Sequence, residues 1–188
     1  MRKILLFALA ATAFLPSLSA QTDSLTASNL AEFLARYEER LNPVNQAFAD
    51  LESEKLALRD ESGGPLGRHH IEDCRQVVVN LRQIIHQLTA NPEDLVSTIR
   101  LFIEAEALAD DLFDLSQIAY DNDREELGKR FSDLQIALDH QEDLIQKHAL
   151  QLAGAKQDRL KQLEGENHDL QQKLKDAAER QKRKKTRR

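Results

Sequence analysis

The 188-residue chain carries 26 Lys and Arg against 32 Asp and Glu, is 41% hydrophobic but only 5% aromatic, and contains one Cys and no Trp. A single cysteine excludes an internal disulfide framework and covalent haem on a Cys-x-x-Cys-His motif. The Leu-, Ala-, Glu- and Lys-rich, turn-poor usage is that of helical bundles, and with Val77-Val78-Val79 the one β-branched run, no sheet is expected.

The first twenty residues read as a secretory signal. Arg2 and Lys3 precede an apolar run from Ile4 to Leu15, and Pro16 to Ala20 supply small residues for cleavage near Ser19 or Ala20. That run is well short of the ~20 residues a membrane span needs. The expectation is a product that is soluble after processing, periplasmic or secreted. Residues 21–28 are polar and expected to be flexible. Setting aside Arg2 and Lys3, and then the seven cations from Arg180 to Arg188, takes the formal charge from −6 to −8 and leaves residues 21–179 at −15. The charge pattern is that of an acidic rod with a basic end.

Residues 29–153 read as the helical bundle. Asn29 followed by Glu32 resembles a capping box. An apolar heptad follows, with Leu34, Leu41 and Phe48 on one seam position and Leu30, Tyr37, Val44, Leu51 and Leu58 on the other. Pro43 lies inside this pattern without shifting its phase, so the first helix is expected to be kinked or briefly broken there. Ser62-Gly63-Gly64-Pro65-Leu66-Gly67 is a loop, its spacing matching neither phosphate-binding glycine motif. A second helix over about Arg68–Thr89 has its seam at Ile71, Cys74, Val78, Leu81, Ile85 and Leu88. Asn91-Pro92-Glu93-Asp94 restarts the chain with a cap, a first-turn proline and acids at the positive dipole end. The third helix, to about Tyr120, is apolar nearly all round, which marks a central position. Asn122 and Glu125 again resemble a capping box, although a continuous third-to-fourth helix stays open because no Gly or Pro intervenes.

The last helix is the longest. Leu127, Phe131, Leu134, Leu138, Ile145 and Leu152 share one register; after Gly154 the seam resumes one heptad position later at Leu160, Leu163, Leu170 and Leu174. At ~1.5 Å per residue the first helix spans roughly 45 Å and the last roughly 85 Å, so the last must overhang the others from after Leu152. The expected fold is all-α: an antiparallel up-down bundle of about four helices, with residues 154–179 projecting and 180–188 a basic, disordered tail. Within 156–179, Asn167 interrupts the leucines as a polar residue does in paired coiled coils, and in a parallel pair Arg159 would face Glu164 of the other copy. Two readings stay open there: a homodimer through 156–179, or a single helix that frays.

Sites of chemistry are scarce. On a helix His70 faces Cys74 and His69 faces Asp73, a workable metal-ligand spacing, yet Cys74 lies on the apolar seam, and the expectation is a buried thiol and no metal. No Glu-x-x-His occurs for a di-iron bundle, and haem ligation by Met is lost with Met1. His86, His140 and His168 are scattered, and His148 falls on the seam. No catalytic set and no cofactor is expected. The candidate binding residues are the terminal cations Arg180, Lys182, Arg183, Lys184, Lys185, Arg187 and Arg188, which suit an anionic surface such as lipid head groups or cell-wall polymer, or an acidic protein. No aromatics interleave them, so specific nucleic-acid binding is not expected. The leading expectation is an exported, non-enzymatic structural or interaction protein of the cell envelope. A holdase-type chaperone or adaptor using exposed apolar surface is the alternative, and a metal-binding helical protein the third.

Overall fold

The computed structural model describes residues 25–26, 28–53, 58–60 and 62–186. The expected signal segment and most of the polar stretch after it lie outside these. Four helices follow one another: α1 Leu30–Ser53, α2 Arg68–Ala90, α3 Leu95–Asp121 and α4 Glu125–Thr186. Among the described residues there is no named strand, and the one isolated antiparallel bridge pairs Arg59 with Pro65. Helix α1 packs on α2, α2 on α3, α3 on α4, and α4 back on α1. The architecture is an up-down bundle closed by α1 and α4, with α4 running on beyond it.

The antiparallel order shows in the polar ties between faces. Helices α1 and α2 are joined by Arg75 to Glu52 at 2.6 Å and Arg82 to Asn42 at 2.8 Å. Helices α1 and α4 are joined by Arg130 to Asp50 at 2.7 Å and by Arg40 donating to the Ala137 carbonyl at 2.9 Å. In each pair one residue number rises as the other falls. His148, buried on the α4 seam, donates through Nδ1 to the Leu25 carbonyl at 3.1 Å and so holds the residues before α1 against the bundle end.

Helix α1 passes unbroken through Pro43, so the expected disturbance does not interrupt the helix. Proline costs a helix one hydrogen bond and a steric clash, and here Leu41, Val44, Ala47 and Phe48 are fully buried around it. The seam therefore keeps its phase because packing overrides the local penalty. Phe48 lies against Phe131 with ring centroids 6.3 Å apart. Leu58, assigned to that seam from its heptad position, reaches the core from beyond the end of α1, in the loop before α2.

The loop before α2 is organised by Asp60. Its carboxylate accepts from the Ser62 amide at 3.0 Å, the Ser62 hydroxyl at 2.6 Å and the Gly64 amide at 3.0 Å, while Gly63 takes a φ of 78° that a side chain would resist. These bonds, led by that from Ser62, hold the Asp60 carboxyl below its ordinary range.

Two helix starts differ from the sequence reading. Asp94, not Asn91, caps α3: its carboxylate accepts from the Val96 amide at 3.1 Å and the Ser97 hydroxyl at 2.7 Å, whereas Asn91 closes α2. The turn between α3 and α4 is real, but Asn122 closes α3 and does not open α4. Its amide donates to the Ile118 carbonyl at 2.7 Å and is also engaged by the α1–α2 loop. Asp123 supplies the left-handed residue, at φ 57°, that the sequence lacked a glycine for; a short polar side chain tolerates this region better than most.

Helix α3 is central, lying between α2 and α4 with Leu101, Leu108, Leu112 and Leu115 buried. Its closest packing is with α4, across the small buried residues Ala105, Ala109, Ser116 and Ala119. Ser116 donates to the Gly128 carbonyl at 3.1 Å, and a β-carbon at position 128 would come within 2.9 Å of the Tyr120 ring. Its outer face is less covered than its composition implied: Val96, Ile99, Ile103, Phe113 and Tyr120 are exposed.

Candidate functional site

The projecting part of α4 begins where burial ends. Leu152 and Ala153 are half-buried, and every residue from Gly154 to Arg180 is exposed. The helix nevertheless continues to Thr186, about 50 Å beyond Ala153 at ~1.5 Å per residue. A loose basic end was expected from mutual repulsion; among the described residues the backbone is helical past Lys185. The negative end of the helix dipole, where the last carbonyls lack partners, is the place along a helix best suited to them.

Arg180 and Arg183 are exposed on this end. Lys182, Lys184 and Lys185 lie on the same helical turns by backbone position, and Arg187 and Arg188 fall outside the described residues. The arm before the cations is nearly charge-balanced, with local pairs such as Lys161 to Asp158 at 3.6 Å and Gln162 to Glu166 at 2.8 Å. Its leucines are unpartnered: Leu160, Leu163, Leu170 and Leu174 are between 44% and 70% exposed. A helix kept apolar on one line in water is poorly explained by its own stability, since most helical stability comes from burying such a face.

The heptad frame put this stripe out of phase with the bundle seam, but helical geometry puts it on the same side. At about 3.6 residues per turn, positions eighteen apart are about five whole turns apart and share a face. Leu163 therefore stands in line with Ile145, and Leu160 with Glu142. Two such intervals align Leu134 with Leu170 and Leu138 with Leu174. Leu138 and Ile145 are core residues, and Glu142 lies near Glu106 and Asp110 of α3 and near Tyr37 of α1. The stripe continues the inner side of α4 into open space above the bundle.

The other cluster flagged by spacing gathers an additional member. Cys74 is buried beside the Asp111 carboxylate of α3, with His70 close to the same carboxylate. Burial, then Asp111, pushes the Cys74 thiol up to about 12; at neutral pH it is an uncharged packing residue and a poor nucleophile. Burial also raises the Asp111 carboxyl, against the opposing effect of the thiol and of His70. His70 Nε2 is enclosed without a hydrogen-bond partner beside an open cleft of about 580 Å³ lined by Asp60, Leu66, Phe113, Asp114 and Gln117 among others. Among the described residues no group of three His, Cys, Asp or Glu is placed to hold a metal ion. Sequence spacing found the His70–Cys74 pair, but no local signal pointed to Asp111.

Among the described residues no helix is long and apolar enough to cross a membrane. No protein-family model matches the chain, no curated protein is similar to it, and no solved structure matches it.

Proposed function

We propose that this chain is an exported, non-enzymatic interaction protein of the cell envelope, in which the bundle serves as the base for an arm that presents a basic end to an anionic surface or acidic partner. The observation that carries this reading is the exposure of every residue of α4 from Gly154 to Arg180, where the run of cations begins. Residues 21–179 sum to −15, so a cationic group held against the body would be neutralised by it. Tens of ångströms of helix exceed the ~8 Å Debye length of physiological salt and let the end act as a separate positive charge. Lipid head groups and cell-wall polymer present the repeated anionic groups that such an end attracts.

Truncation after Glu179 tests this. It removes seven cations and none of the buried core. The expected result is loss of binding to anionic vesicles and to heparin, with the thermal unfolding of the bundle unchanged. Binding by the intact chain should fall steeply as salt rises, because each contact releases condensed counterions. Equal binding by intact and truncated chains at low salt would overturn the proposal.

A chaperone-like reading is favoured by a separate observation: Val96, Ile99, Ile103, Phe113 and Tyr120 on the outer side of α3, and the arm stripe, are exposed apolar surface. Suppression of the aggregation of an unfolded client, reduced by Ile99→Asp with Ile103→Asp, would support it over the first reading.

A further inference from the structure

We infer that the outer face of α3 seats a helix of another protein, one that is amphipathic and carries cations midway along its apolar side. Helix α3 is apolar nearly all round, a composition that calls for cover on several sides. In the bundle it packs only on α2 and α4. The uncovered residues form a pattern. Val96, Ile99 and Ile103 in the first half of α3 and Phe113 and Tyr120 in the last are exposed. With Glu106, Asp110 and Gln117 between them they follow one another at alternating three- and four-residue intervals, the spacing that seats one helix on another. This second seam lies opposite the core seam of Leu101, Leu108 and Leu115. From Val96 to Tyr120 it runs about 36 Å at ~1.5 Å per residue.

The centre of this seam is acidic, and that fixes the chemistry of its occupant. Among the described residues Glu106 and Asp110 make no ion pair and no side-chain hydrogen bond. Glu142 of α4 lies beside them, and the charged neighbours that act on its carboxyl, Glu106, Asp139, Asp110 and Asp143, are all acids. A facing cation relieves such a group of like charges, and a facing anion adds to the repulsion. The C-terminal end of the seam adds a recess. Phe113 and Gln117 border the open cleft of about 580 Å³ whose lining includes Leu66, Asp60 and Asp114. A guanidinium laid on the Phe113 ring has carboxylates in the same recess, a setting in which Arg stacks on an aromatic face.

The same chemistry excludes the nearer candidates. A second copy offering its own α3 sets Glu106 and Asp110 against the same two acids, in a parallel or an antiparallel pair. The arm of a second copy has Asn167 and no cation between its leucines, and the run from Arg180 to Arg188 contains no apolar residue to fill the seam. An anionic bilayer is repelled by the acids. The occupant that fits is a helix from a different protein, apolar at both ends of the contact and bearing Lys or Arg between them. The arm takes no part in this contact. Its end stands tens of ångströms beyond the bundle, so a basic partner on α3 and an anionic one at the tip are held at once.

The test uses the mature chain and synthetic helical peptides of about 25 residues, with Leu at three- and four-residue intervals along one side and Arg, Gln or Glu at the two central positions of that side. Binding is read by fluorescence anisotropy. The Arg peptide is expected to bind about tenfold or more tightly than the Gln peptide, and the Glu peptide least, with the differences shrinking as salt rises. Glu106→Gln with Asp110→Gln should bring the Arg and Gln peptides level. Glu106→Lys with Asp110→Lys should reverse the order in favour of the Glu peptide; both residues are exposed, and the bundle's unfolding should be unchanged. Glu32→Lys with Glu39→Lys makes the same change of charge on α1 and should preserve the order. Loss of the order in that control would assign it to the net charge of the body and overturn the seam. Equal binding of the three peptides by the unaltered chain would overturn the cationic occupant in favour of general apolar capture. No binding of the Arg peptide up to ~1 mM would overturn docking altogether. Truncation after Glu179 should leave peptide binding in place, so loss of anion binding and loss of docking are read separately.

Discussion

The side-chain amide of Asn122 grips both backbone polar groups of Arg59: Oδ1 accepts from the Arg59 amide at 2.9 Å and Nδ2 donates to the Arg59 carbonyl at 2.9 Å. A side chain at the α3–α4 turn thus takes the role of a neighbouring strand for the α1–α2 loop. Both connections at that end of the bundle are held through one residue. Because Nδ2 also donates to the Ile118 carbonyl, the same amide closes α3.

Asn122→Ala should therefore loosen the loop as well as the helix end. The contacts are partly reachable by water, so the loss is set at about 1–2 kcal/mol, near the net worth of the bonds and not of buried orphans. Chemical denaturation measures the loss, and amide exchange at Arg59 should accelerate well beyond exchange at the core of α2. Asn122→Asp keeps the acceptor and loses the donor, and should fall between. Unchanged exchange at Arg59 in the alanine variant would show that the loop is held by Leu58 and Asp60 without it.

Glu142 should make stability depend on pH in an unusual direction for a carboxylate. Burial raises its pKa above the ordinary glutamate range, and Glu106, Asp139, Asp110 and Asp143 add to the effect. A folded-state pKa above the unfolded one means that the folded chain binds the proton more tightly. The stabilisation is complete below the ordinary glutamate pKa and is lost as pH rises through the folded one. At neutral pH the ionised group is a net cost. Glu142→Gln is expected to raise the melting temperature at pH 7 and to give no gain below about pH 4. An equal gain at both values would assign the effect to packing.

At Gly128 α4 lies directly against the end of α3. A β-carbon there would lie 2.9 Å from Cγ, Cδ1 and Cε1 of Tyr120. Glycine to alanine inside a helix ordinarily gains about 1 kcal/mol, but crowding a packed contact costs ~1–3 kcal/mol. The sum should be a destabilisation of Gly128→Ala by about 1 kcal/mol. Gly165→Ala, with open space around it, should instead gain. Pairing Gly128→Ala with Tyr120→Ala should remove the clash and reveal the helical gain. If Gly128→Ala alone stabilises, the half-exposed ring has simply swung aside.

By itself the sequence determined the all-helical class, the approximate limits of each helix, the overhang of α4 and the residues that carry its stripe and its cations. All of these follow from period, cap chemistry and length, which are properties of a chain over a few turns. The seam of α2 was legible residue by residue, Cys74 included, because one buried face repeats along one helix. Only the tertiary structure decided that Leu58 enters the core from a loop, that Asn122 serves Arg59 sixty-three positions away, and that Cys74 lies beside Asp111. Each of these joins residues on different elements, and no local pattern encodes which partner they meet. The placement of the arm stripe shows the boundary most clearly. Its leucines were visible as a heptad, but a straight helix turns by about 100° per residue, so a seam one heptad position out of phase returns to the bundle's own side. What stands beneath that side is the core that α4 shares with α3 and α1, and only the packing of those helices decides where along α4 its cover ends.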